Sequence, residues 1–76
     1  MSVKVRCFAS LREELGFGDK SVEYQLPLTI GEIWMEISGR PAPENLLCAL
    51  NHEYSKFSQT VQDGDEVAFF PPVNGG

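Results

Sequence analysis

Two glycines, Gly75 and Gly76, follow Pro71-Pro72-Val73-Asn74 at the end of the sequence. Their residue type suits one kind of chemistry. With no side chains they form the thinnest carboxylate end a polypeptide can present, fit to enter a narrow channel of another protein where backbone must approach reacting groups closely. Pro71 and Pro72 cannot donate to a sheet ladder, so strand pairing stops there, and they favour an extended, stiff segment. Six residues at up to ~3.5 Å each reach about 20 Å beyond a folded body. Read alone, a terminal glycine pair also fits a frayed end; the proline spacer and the pattern of the preceding residues favour the thin probe.

The other residue types that carry chemistry do not assemble into a site. His52 is the only histidine, which leaves no His-based metal site and no Ser-His-Asp relay; it reads as a solvated loop residue. Asp63, Asp65 and Glu66 flank Gly64 without the remaining ligand positions of a calcium loop and read as a charged turn. Gly16-x-Gly18 lacks the helix start that a phosphate cradle needs. Cys7 and Cys48 make no disulfide framework and read as small buried hydrophobes in a reduced protein. No metal and no bound cofactor is expected, and an independent enzyme is a poor reading.

Composition sets the remaining bounds. Seventy-six residues, 42% apolar and 22% charged, make one globular domain. A chain this short buries ~60% of its unfolded surface, enough for one thin core. Six basic against eleven acidic residues give a net charge of −5, the wrong sign for nucleic acid or an anionic membrane. Lys4 and Arg6 interrupt any leader-like opening, and no run of about 20 apolar residues is available to span a bilayer. A cytoplasmic protein is expected.

The elements follow from periodicity. Val3 to Phe8 alternates as a half-buried strand, with Val3, Val5 and Cys7 on one face and Lys4, Arg6 and Phe8 on the other. Ser10 and Glu13 fit a capping box, Leu11 and Leu15 give a short helical stripe, and Gly16 stops it. After a turn over Gly16 to Asp19, Ser21 to Leu26 alternates as a second strand closed by Pro27. Thr29 and Glu32 form a second capping box ahead of Ile30, Ile33, Trp34 and Ile37, one buried helical face; Gly39 and Pro41 stop that helix. Leu46 to Leu50 reads as an interior strand, its parity undetermined. Asn51 to Gln62 reads as polar and irregular, with Tyr54, Phe57 and Val61 as apolar anchors. Asp63-Gly64-Asp65 is a turn, and Glu66 to Phe70 is the last strand. The order implies an α+β roll, one main helix on one sheet face.

The run Asp63-Gly64-Asp65-Glu66-Val67-Ala68-Phe69-Phe70-Pro71-Pro72-Val73-x-Gly75-Gly76 resembles the C-terminal signature of molybdopterin synthase small subunits, which belong to the ubiquitin-like sulfur carriers. The resemblance extends to Phe8-Ala9 with Leu11-Arg12-Glu13, and to Ala49-Leu50-Asn51; residues 19–45 resemble the family in pattern alone. Asn74 departs from the small residue or threonine usual before the glycines. The resemblance implies a ubiquitin-like β-grasp roll over residues 1–70, a mixed four- to five-stranded sheet with one main helix, and a flexible tail over residues 71–76. It implies that an E1-like enzyme adenylates the Gly76 carboxylate with ATP and that sulfur replaces AMP to give a thiocarboxylate. Gly75, Asn74, Val73, Pro72 and Pro71 would insert into a large synthase subunit, in a heterotetramer of two large and two small chains, where sulfur passes to a pyranopterin precursor during molybdenum cofactor synthesis. The catalytic lysines would belong to that partner. Two alternatives stay open: a ubiquitin-like modifier conjugated through Gly76, and a carrier for thiamine or another pathway. The Phe-Phe-Pro-Pro run favours the first reading.

With first and last strands adjacent, as in β-grasp proteins, Phe8 and Phe70 share the face opposite the core. They then form an exposed apolar patch beside the tail, unless one ring folds over the sheet edge. Leu47 and Tyr54 would add to the patch, and Arg6 and Arg12 would form its polar rim. Aromatic anchors of this kind dominate interface energies.

Overall fold

The computed structural model describes residues 2–25 and 27–71. Seven strands and two helices run in the order β1 (Ser2–Cys7), α1 (Ser10–Leu15), β2 (Asp19–Glu23), β3 (Leu28–Thr29), α2 (Ile30–Ser38), β4 (Leu47–Leu50), β5 (Glu53–Ser55), β6 (Thr60–Val61) and β7 (Glu66–Phe70). Five form one sheet in the order β2-β1-β7-β4-β5; β3 and β6 pair separately. β1 and β7 run parallel at the centre, and the other neighbours are antiparallel. This is the ubiquitin-like β-grasp roll.

Alternation decides which face is dry. Val3, Val5, Cys7, Val67, Phe69 and Cys48 join Ile30, Ile33 and Trp34 of α2 in one buried cluster. Phe69 is its hub: its ring meets Trp34 edge-on at 5.1 Å and stacks on Phe57 at 6.2 Å. α2 begins at the predicted capping box, where Glu32 N donates to Thr29 Oγ1 (3.1 Å) and Thr29 N donates to Glu32 Oε1 (2.9 Å). It ends on Gly39 in the left-handed conformation, as α1 ends on Gly16.

Four local expectations need correction. Ser10 does not cap α1. The flanking residue is Ala9, at φ 53° and ψ −130°, with no side-chain cap; Leu11 N donates to Phe8 O and Arg12 N to Ala9 O, both at 3.1 Å, so backbone carbonyls serve the donors that a serine hydroxyl would have served. The second strand spans 19–23 rather than 21–26, because pairing with β1 starts at Asp19 opposite Arg6. Residues 51–62 are not irregular. Asn51 and His52, both with positive φ, make the two-residue hairpin turn between β4 and β5 whose twist suits antiparallel strands, and Thr60–Val61 pairs with β3. Within that stretch Phe57 and Val61 pack on the core, but Tyr54 is 76% exposed and anchors nothing. The β4 parity is resolved: Cys48 is buried in the core cluster and Leu50 packs against it, while Leu47 and Ala49 stand opposite Phe70 and Ala68. Among the described residues no helix is long and apolar enough to cross a membrane.

Candidate functional site

Residues directly opposite one another on adjacent strands point to the same sheet face. Ala68 stands opposite Arg6 on one side and Ala49 on the other, and Ala49 stands opposite Tyr54. One row therefore crosses four strands on the face away from α2, with two methyl side chains between a long cation and a phenol ring. Those small residues leave a hollow of about 230 Å³, lined by Arg6, Phe8, Ala49, His52, Tyr54, Glu66, Ala68 and Phe70.

Aromatic rings wall the end of the hollow nearest the C-terminus of β7. Phe8 and Phe70 stack at 4.8 Å with planes 7° apart, Tyr54 leans on Phe70 at 6.0 Å, and the Arg6 guanidinium carbon lies 5.5 Å from the Phe8 ring centre, an attractive placement over the π face. Phe8 remains 36% exposed. The stack forms because β1 and β7 run parallel and end together: Cys7 pairs with Phe69, which sets the next outward side chain, Phe8, beside Phe70.

The opposite wall is charged. Glu66 Oε2 lies 3.5 Å from Arg6 Nη1 and 3.6 Å from His52 Nε2, and Arg6 Nε donates to Asp19 Oδ1 at 3.0 Å. Asp19, by hydrogen bond and charge, raises the Arg6 pKa, and Glu66 adds to the effect. His52 reaches the wall through its turn. Asn51 N donates to Glu66 O (2.8 Å), Glu66 N donates to Asn51 Oδ1 (2.9 Å) and Asn51 Nδ2 donates to Asp65 Oδ1 (3.1 Å). This tie holds the hairpin tip against the start of β7.

The fold thus brings Phe8, Phe70, Tyr54 and Arg6 together. Leu47 faces Phe70 across the ladder but does not line the hollow. Arg12 lies elsewhere, its guanidinium group packed over Gly18. Pro71 directly follows β7; Pro72, Val73, Asn74, Gly75 and Gly76, the positions expected to enter a partner, lie outside the described residues. Sequence reasoning missed Ala49, Ala68, Glu66 and His52 as lining residues. A signal existed for Ala68, a methyl on the outward parity between Glu66 and Phe70. None existed for His52, whose place depends on the hairpin register.

Such a surface binds; it does not react. Among the described residues no three His, Cys, Asp or Glu side chains converge to hold a metal, and no nucleophile lines the hollow. Both thiols are buried. Burial, then the charge of Asp19, pushes Cys7 up to about 11, and burial raises Cys48. Alkylation by iodoacetamide at pH 8 should therefore be on the order of a hundredfold slower in the native protein than in denaturant, where thiols titrate near their ordinary value. Native reactivity equal to that of the unfolded chain would contradict the burial. The sign for stability is also defined: the neutral thiol favours the fold below the unfolded pKa, and that contribution is lost as pH rises toward the folded value.

Comparison with known proteins agrees with this geometry. The model of the ThiS family matches residues 5–76. The molybdopterin synthase sulfur carrier subunit of Escherichia coli (strain K12) is 37% identical over an alignment covering 97% of this chain and 99% of that protein. Among solved structures, a putative molybdopterin converting factor subunit 1 from Pyrococcus furiosus superposes with a TM-score of 0.79 at 27% identity, covering 96% of this chain and 99% of that one. Subunit 1 or 2 of the molybdopterin-converting factor of Helicobacter pylori, solved as a complex of the two, gives a TM-score of 0.64 at 21% identity with full coverage of both chains.

Proposed function

Because this chain belongs to the ThiS family, we propose that it is the sulfur carrier subunit of a molybdopterin synthase. The observation that carries this reading is the stacked Phe8–Phe70 pair, held open to solvent where β7 ends and the proline-glycine segment begins. A carrier needs a docking surface beside its reactive end, and here the two are adjacent in sequence. The Escherichia coli relative, matched along its length, supports the choice of pathway. The Helicobacter pylori complex supports a large-subunit partner, in a heterotetramer of two large and two small chains.

The chemistry of the reading is short. A carboxylate is a poor electrophile until its oxygen becomes part of a good leaving group, so Gly76 is first adenylated by an E1-like enzyme with ATP. Sulfur from a persulfide then replaces AMP, and the thiocarboxylate, a soft nucleophile, is delivered to carbon inside the large subunit. The residues described here bind and position; general acid–base groups belong to the partner.

Intact-mass measurement after incubation with the activating enzyme, ATP and a sulfur donor tests this. The expected product is heavier by the difference between one sulfur and one oxygen atom. A ladder of larger covalent species would instead identify a protein modifier, and an unchanged mass would remove the carrier reading.

A further inference from the structure

Positive φ angles divide in this molecule. Gly16, Gly39 and Gly64 take them at turns that do not line the hollow, whereas the three non-glycine residues among those described, Ala9, Asn51 and His52, all border it. Asn51 has a reason internal to the fold, since its amide ties the hairpin to β7. Ala9 has none. At φ 53° and ψ −130° it occupies the first central position of a turn closed by the bond from Leu11 N to Phe8 O, a conformation that glycine adopts freely and an L-residue adopts under strain. Its side chain is exposed and caps nothing. The methyl group thus strains the backbone without a packing return inside the chain, directly after Phe8 in the aromatic wall.

We infer that the Ala9 methyl belongs to the docking surface, which extends from the Phe8–Phe70 stack over the β1–α1 turn and is covered by the same large-subunit partner. The inference rests on the docking reading above. Strain kept at a site whose side chain meets only solvent in the free chain is explained when a partner buries that side chain.

The test is Ala9→Gly in the full chain, with thermal melts of the free protein and calorimetric titration of the cognate large subunit. Relief of strain should raise the melting temperature by a few degrees, while loss of one buried methyl should weaken binding about fourfold. A second variant with D-alanine at position 9, made by chemical ligation, keeps the turn stiff but redirects the methyl; it should also melt higher and bind more weakly. Equal or tighter binding by either variant would overturn the inference, as would a lowered melting temperature for Ala9→Gly. Phe70→Ala is the arm that separates the two readings. If it binds normally, the docking reading itself falls; if it binds poorly while both Ala9 variants bind as wild type, only the role of Ala9 is lost.

Discussion

Phe69→Ala should leave little folded protein, whereas Phe70→Ala, one residue away, should fold normally and fail to dock. Phe69 is fully buried and touches both Trp34 and Phe57, so its removal opens a cavity at the junction of sheet and helix. Such truncations cost roughly 3–5 kcal/mol, against a total stability on the order of 5 kcal/mol for a small domain. Phe70 stacks on Phe8 outside the core. Truncating a buried interface aromatic commonly costs about 2 kcal/mol of binding, some thirtyfold in affinity. Thermal melts and calorimetric titration with the large subunit, run on both variants, decide the matter. A normal melt for Phe69→Ala with unfolding of Phe70→Ala would invert the assignment of faces.

A still larger effect is expected at the other end of the mechanism. Deleting Gly76, or adding residues after it, should abolish sulfur loading, because the carboxylate to be adenylated is then on the wrong residue or in the wrong place. The fold should not respond, since among the described residues nothing beyond Phe69 belongs to the core. The measurement is thiocarboxylate formation by intact mass beside a melting curve. Loading of the truncated chain at the wild-type rate would sink the proposal, and so would a substantial loss of thermal stability.

These contrasts were legible because alternation is a local property. Val3, Val5 and Cys7 against Lys4, Arg6 and Phe8, or Phe69 against Phe70, need only the two-residue period of a strand to be sorted. The Thr29–Glu32 box was legible for the same reason, since both partners lie within one turn. What escaped depends on register between distant segments. Glu53–Ser55 carries no apolar alternation, being an edge strand with Tyr54 turned to solvent, and is a strand only because β4 pairs with it. His52 faces Glu66 only because Asn51 is bonded to the start of β7. Ser10 looked like a cap because sequence cannot reveal that Ala9 would take a positive φ and hand the helix its backbone acceptors.

The parallel pairing of β1 with β7 has a consequence for how the molecule comes into being. β1 is made first and can form its antiparallel pair with β2 early, yet its other edge waits for the last strand of the chain. Until β7 emerges, the sheet has no centre: β1 exposes an unpaired edge, and β4 has only β5 beside it. Pairings between such distant segments close late and slowly. Phe69, the hub of the core, and Phe70, half of the aromatic stack, arrive on that same final strand. An incomplete chain therefore lacks stability and recognition together, and offers a partner no surface to mistake for that of a finished carrier.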